Sequence, residues 1–238
     1  RRQLRNKKEL DTNDNYKYID NLQSFNSIGR VIYFAGCMSH LTPGIIDAML
    51  TIFDKVDQKY WFMDKDKTIC CGRPLMQQGF TIQASELRRK NTQLIKQSGA
   101  NMLITSCPIC YQSFKKEYNL PIQVMHHTEY IHMLIKSGKL KVRKDDLKVV
   151  YHDPCELGRA CGIYQQPRQI LKTISTLLKT KNEKENSLCC GYNLGNTVIE
   201  PEQQGEIRNA ALGSLIAKNP DVIATACPMC KKAFKRAT

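Results

Sequence analysis

Ten of the chain's eleven cysteines fall into two sets of five that obey one spacing rule. The first set is Cys37, Cys70, Cys71, Cys107 and Cys110, with 32 and then 35 residues intervening. The second is Cys155, Cys189, Cys190, Cys227 and Cys230, with intervals of 33 and 36. Corresponding cysteines lie 118 to 120 residues apart, so two single-residue insertions account for all the drift. Other residues repeat with them: Gly72 and Gly191 follow the paired cysteines, and Pro108 and Pro228 sit inside the CxxC motifs. The segment from Asn101 to Cys107 likewise matches that from Asp221 to Cys227. A period near 120 is far longer than a solenoid unit and reads as a duplicated domain with pseudo-two-fold symmetry. A length of 238 residues accommodates two such domains.

Composition narrows the class. Hydrophobic residues at 42% suffice for a core, which excludes a wholly disordered chain. No apolar run reaches the roughly 18 residues that span a bilayer. The first residues, RRQLRNKKEL, lack Met and any apolar signal core. The chain therefore reads as a cytoplasmic protein, and as a processed or excised piece of something longer. An odd cysteine count without a secretory signal argues for metal binding or redox chemistry, not a disulfide framework. The formal net charge of +14 first suggests nucleic acid. No nucleic-acid motif accompanies it, and the basic residues are spread along the chain.

Apolar patterning predicts α/β structure: two pseudo-symmetric repeats of parallel βαβ, Rossmann-like units. Residues 1–29 are polar and form a linker or surface segment, 30–140 a first cysteine-rich domain, and 148–238 a second. Strands are expected over 31–35, 60–63, 102–105 and 124–127, with helices over 43–56, 82–97, 109–117 and 128–135. The second half is expected to repeat this as strand 148–152, helices 168–179 and 202–218, strand 221–226 and helix 229–236. In open parallel sheets, ligand sites form beyond the carboxyl ends of the strands, where Cys37, Cys107, Cys155 and Cys227 are placed. Helices starting at Cys107 and Cys227 aim partial positive charge and free N–H groups at an anionic metal–thiolate group.

Structural zinc takes four ligands, usually as two close pairs. Here each repeat offers one CxxC, one adjacent pair and a single cysteine. Adjacent cysteines are expected to diverge and so to reach different irons of a multi-iron cluster. The compact CxxCxxC run of ferredoxins is absent. Spacing leaves two options open: an iron–sulfur cluster of unusual shape, or four ligands plus a redox-active spare.

The chain resembles the paired cysteine-rich (CCG) domains of heterodisulfide reductase and its relatives. Those relatives include the iron–sulfur subunits of glycolate oxidase, anaerobic glycerol-3-phosphate dehydrogenase and lactate-utilisation proteins. The matching stretches are Phe34-Ala-Gly-Cys-Met38, Cys70-Cys-Gly-Arg-Pro74, Cys107-Pro-Ile-Cys110, Tyr151-His-Asp-Pro-Cys-Glu-Leu-Gly-Arg159, Gly162-Ile-Tyr164, Pro167-Arg168, Cys189-Cys-Gly191 and Cys227-Pro-Met-Cys230. Together they span about residues 30–238. The resemblance implies two noncubane 4Fe-4S clusters, each held by one five-cysteine set, in an oxidoreductase. It further implies a flavin- or ferredoxin-containing electron-transfer subunit as donor, and a small disulfide, quinone or other acceptor. A disulfide would be cleaved between the two clusters, which is where catalysis would sit. In relatives a ferredoxin-like domain often precedes the pair, so one is expected upstream. The run Cys189-Cys-Gly-Tyr-Asn-Leu-Gly-Asn196 departs from the Gly-rich sequence many relatives carry after CCG.

With a core of about +2 and five thiolates, each filled site would carry about −3, which would leave the protein near +8. Part of the basic excess then counters buried anionic clusters. The remainder suits an acidic redox partner or a peripheral position on the inner face of a membrane. Cys161 has no counterpart and reads as a core or free thiol. His152 reads as a strand-end structural histidine, and Arg73, Arg159 and Arg168 as counter-charges, substrate contacts or solvated surface. His126 and His127 stay unassigned. The competing reading is a zinc-bound or redox scaffold that docks a partner or nucleic acid without catalysis.

Overall fold

The computed structural model describes residues 30–66, 69–192 and 199–235. Residues 1–29, read as a linker or surface segment, and 193–196 of the departing loop lie outside the described residues. Two all-parallel sheets organise the rest. The first contains β1 (Val31–Phe34), β2 (Trp61–Phe62), β3 (Met102–Thr105) and β4 (Gln123–His126), in the order β2-β1-β3-β4. The second contains β5 (Lys148–His152), β6 (Thr176–Leu178) and β7 (Val222–Thr225), in the order β6-β5-β7. The helices are α1 (Gly44–Lys55), α2 (Arg73–Gln77), α3 (Thr81–Gln97), α4 (Pro108–Lys116), α5 (His127–Lys136), α6 (Gln165–Ile174), α7 (Pro201–Ile216) and α8 (Pro228–Lys235). The fold is therefore α/β with a duplicated βα pattern, as the spacing predicts.

The first sheet is covered on both faces, as continuous apolar strands require. On one face Val31 and Tyr33 of β1 meet Ile46, Met49 and Phe53 of α1 and Tyr130 and Leu134 of α5. Tyr33 packs edge-on against Phe53 with centroids 5.4 Å apart. On the other face Ile32 and Phe34 join Leu87, Leu94 and Ile95 of α3 and Phe114 of α4. That second core runs without a break into the other repeat, through Val150, Leu157, Ile163, Ala211 and Leu215.

Register fixes where the cysteines emerge. Phe34 lies opposite Thr105 in the first sheet, and His152 opposite Thr225 in the second. Cys37 and Cys107 thus leave neighbouring strands at one level, as do Cys155 and Cys227.

One expected element is corrected. The helix read over 168–179 ends at Ile174, and β6 begins two residues later. The Ser175 hydroxyl donates back to the Leu171 carbonyl at 2.8 Å, and Ser175 itself is extended at φ −156°. Parallel pairing of Lys148 with Thr176 and Val150 with Leu178 then captures the chain as a strand. The apolar spacing of Leu171, Leu177 and Leu178 fits a helix equally well, and tertiary pairing decides.

Candidate metal centres

All ten duplicated cysteines carry free thiols, and the fold gathers them into two groups. In the first, Cys37 neighbours Cys70, Cys70 neighbours Cys71, Cys71 neighbours Cys110 and Cys110 neighbours Cys107. In the second, Cys155 contacts Cys189, Cys189 contacts Cys190, Cys190 contacts Cys230 and Cys230 contacts Cys227. The order is the same in both: single cysteine, first and second of the pair, second and first of the CxxC. Solvent reaches Cys37, Cys70, Cys155 and Cys189, whereas Cys71, Cys107, Cys110, Cys190, Cys227 and Cys230 are buried.

Adjacent thiols therefore touch, contrary to the divergence expected from the sequence. A glycine in the left-handed region follows each pair. Gly72 has φ +84° and Gly191 φ +71°, so the chain turns sharply just after each pair. A Cβ on Gly191 would lie 2.5 Å from the Gln204 carbonyl oxygen of α7. At the single cysteine, Gly36 has φ +86°, and a Cβ there would meet Cys107 Cβ at 2.8 Å and Cys110 Sγ at 3.0 Å. The backbone packs against the thiols at that point.

Each CxxC opens a helix. Cys107 caps α4 with Pro108 in its first turn, and the Tyr111 N–H donates to the Cys107 carbonyl at 2.9 Å. Lys231 N–H donates to the Cys227 carbonyl at the same distance. Helix N-termini thus face the thiols in both repeats, as expected.

Carboxylates hold the loops in place. Asp64, fully buried after β2, accepts the N–H groups of Ala35 and Gly36 at 2.8 and 2.7 Å and also contacts His40 at 3.3 Å. In the second repeat the arrangement reverses. Asp153 precedes Cys155 and accepts the Lys184 N–H at 2.8 Å, and Arg168 grips both its oxygens at 2.6 and 2.7 Å. Arg159 donates to the Glu185 and Ser187 carbonyls, which support the approach to Cys189. Arg73 pairs with Glu117, which Arg88 also contacts. Arg168 is not solvated surface: it is buried and pairs with Asp153 and, at 3.8 Å, with Glu183.

His152 is buried, contacting Thr225 and the Leu188 carbonyl, so it fixes the residue before Cys189. His126 caps α5 by accepting from Thr128, while Glu129 accepts the His126 N–H at 2.9 Å. Its neighbour His127 lies with ring centroids 4.2 Å away. Cys161 belongs to neither string; it packs half-buried on the shared core, and burial raises its thiol to about 11. Asp64 and the Asp153–Arg168 pair are residues that sequence reasoning did not single out as loop holders. Isolated carboxylates carry no periodic signal.

The thiols share protons along each string. Hydrogen bonding from Cys110 lowers Cys71 to about 6, and that from Cys155 lowers Cys189 to about 2. Cys37, Cys110, Cys155 and Cys230 are pushed upward, foremost by their thiol neighbours. Five crowded thiols ionise together only when a multivalent cationic group takes the place of their protons. Soft sulfur donors suit iron–sulfur groups or zinc. Among the described residues no three His, Cys, Asp or Glu side chains are disposed as ligands of a metal ion. The thiols of each set run as a string of five.

The family CCG, described as Cysteine-rich domain, matches residues 31–115 and again 149–235. One component of the dihydromethanophenazine:CoB–CoM heterodisulfide reductase of Methanosarcina acetivorans is 29% identical over 236 residues, covering 94% of this chain and 58% of that protein. The EtfAB:quinone oxidoreductase of Syntrophomonas wolfei is 30% identical over 84% of this chain and 30% of its own length. The probable iron-sulfur-binding oxidoreductase FadF of Bacillus subtilis is 34% identical over 61% and 21%. The chain spans little more than half the length of the heterodisulfide reductase components it matches. With two matches that each enclose a complete five-thiol string, the chain belongs to the CCG cysteine-rich domain family.

Proposed function

We propose that the chain is an iron–sulfur electron-transfer module of an oxidoreductase complex, with the catalytic chemistry of a heterodisulfide reductase-like protein. The carrying observation is the identical order of thiol contacts in the two repeats. Cys37, Cys70, Cys71, Cys107 and Cys110 would hold one noncubane 4Fe-4S cluster, and Cys155, Cys189, Cys190, Cys227 and Cys230 the other. Such clusters, when bound, supply one-electron redox chemistry that side chains lack.

The chain's own residues bind, bury and orient. Helix α4 and its counterpart α8 present N–H groups and positive dipole ends to the thiolates. Asp64 locks the loop before Cys37, and Asp153 ties the segment before Cys155 to the backbone at Lys184, ahead of Cys189. The donor is read as a flavin- or ferredoxin-type partner; the acceptor is read as a disulfide or quinone, in keeping with the heterodisulfide and quinone in the names of relatives. No helix among the described residues is long and apolar enough to cross a membrane. The basic excess suits a peripheral position on the inner face of a membrane.

The test is electron paramagnetic resonance of anaerobically purified protein with and without a small thiol. A thiol-dependent change in the signal supports disulfide chemistry at the cysteine sites. An unchanged signal with intact electron transfer to a quinone leaves the chain an electron carrier.

A further inference from the structure

The basic residues are spread along the sequence, but the fold gathers one group of them on a single edge. Helix α5 starts at the carboxyl end of β4 and runs back to Lys136, and residues 137–147 then lead to the amino end of β5 at Lys148. Between 136 and 148 stand six bases, Lys136, Lys139, Lys141, Arg143, Lys144 and Lys148, against two acids, Asp145 and Asp146, a local balance of +4. Two flanking charges cancel: Lys172 in the last turn of α6, and Asp221, whose carboxylate accepts the Lys148 N–H at 2.7 Å. Residues 54–59 meet α5 where the Tyr130 hydroxyl donates to Gln58 Oε1 at 3.4 Å, and they carry two acids and two bases. The excess is therefore local to residues 136–148.

This segment is a strap pinned at two points. The Leu140 N–H donates to the Leu134 carbonyl at 3.1 Å, and the Leu140 side chain is buried in the core shared by α1 and α5. Five residues on, the Asp145 N–H donates to the Ile174 carbonyl at 2.9 Å. Five residues span at most about 18 Å, so the carboxyl-terminal ends of α5 and α6 lie on one side of the molecule. Every charged side chain from Lys136 to Lys148 is exposed. Among the described residues, Arg143 alone of the six bases pairs with an acid, Asp145 at 3.1 Å. Pinning holds the remaining charges outward at little further cost in chain entropy on binding.

Aliphatic side chains stand exposed among these bases: Val142 at 40% and Leu147 at 46%, with Met133 of α5 and Val222 of β7 beside them. Bases with alkyl groups between them fit the boundary of a bilayer, where charges meet anionic headgroups and alkyl groups enter the interfacial layer. Residues 131–148 hold no Phe, Tyr or Trp on which a base could stack, so nucleic acid is the poorer fit. We infer that this strap is the surface by which the chain lies on an anionic membrane, which rests on and sharpens the reading of a peripheral membrane position. The orientation follows. Cys155 lies beyond the end of β5 opposite to Lys148, so the second cysteine group is turned away from lipid. His126 lies opposite Thr105, two residues before Cys107, so the first group is level with the start of α5, about 15 Å of helix from Lys136.

The full chain is mixed with vesicles of phosphatidylcholine, alone or blended with phosphatidylglycerol, and bound protein is measured by co-sedimentation. Binding is expected to the anionic blend only, and added salt should release it. Each basic residue near such a surface is worth roughly fivefold in affinity, so Lys139→Gln combined with Lys141→Gln should weaken binding about 25-fold. Arg89→Gln combined with Lys115→Gln removes the same charge from exposed positions elsewhere and should change binding by less than about twofold. Equal weakening by the two pairs, or none by the first, overturns the strap and leaves the peripheral position standing. No binding to the anionic blend overturns both. Retention of the chain on polyglutamate without vesicle binding assigns the strap to an acidic protein and likewise overturns the inference.

Discussion

Asp64 Oδ2 accepts a 2.7 Å hydrogen bond from the main-chain N–H of Gly36, tying the end of β2 to the loop that delivers Cys37. The bond spans 28 residues and is wholly buried. Its partner oxygen does the same for Ala35 at 2.8 Å. Asp64→Ala leaves two buried N–H groups unpaired, at roughly 1–3 kcal/mol each. Denaturant unfolding should show a loss of about 2–6 kcal/mol. A loss under 0.5 kcal/mol would mean that the loop holds itself without the carboxylate.

Gly36 is required for two reasons, a left-handed backbone and an atom-tight approach to Cys107 and Cys110. Gly36→Ala should cost about 1–2 kcal/mol in backbone conformation alone and should displace the thiols further. Iron uptake by the first string should fall while the second fills. Gly191→Ala, whose Cβ would meet the Gln204 carbonyl, should give the converse result. Iron content per chain, expected near half of wild type in either variant, checks both.

Arg168 and Asp153 form a buried bidentate pair with side chains 9% and 2% exposed. Arg168→Leu strands the Asp153 carboxylate and should destabilise the chain by about 3–5 kcal/mol. Adding Asp153→Asn should recover part of that loss, because the uncompensated charge is then gone. A double variant as unstable as the single one would contradict the pair's role.

Burial lowers the pKa of both His126 and His127, the latter to about 4. Both remain neutral in the folded chain, while the unfolded chain takes up protons near pH 6.5. Stability from this source is therefore complete above pH 6.5 and declines as pH falls from there towards 4. The slope should reach up to about 1.4 kcal/mol per pH unit for each histidine. Denaturation curves between pH 7.5 and 5 should show it, and His126→Gln should flatten it. Stability that rises on acidification would contradict the assignment.

Much of this arrangement is legible in the sequence, because duplication writes the ligand spacing twice and apolar runs ending at cysteines mark the strands. What the sequence hides is tertiary in origin. The strand Thr176–Leu178 shares its apolar spacing with a helix and is decided by pairing with β5. Cys70 and Cys71 neighbour each other just before a left-handed turn at Gly72, which a rule about diverging neighbours does not anticipate. Asp64 and Arg168 act through partners 28 and 15 residues away, and no local pattern marks them.

The central claim is that both thiol strings hold iron–sulfur clusters, and metal stoichiometry tests it most directly. Anaerobically reconstituted protein should contain about eight irons and about eight acid-labile sulfides per chain, four of each from either string. Fewer than about two irons per chain, with zinc in their place, would contradict it.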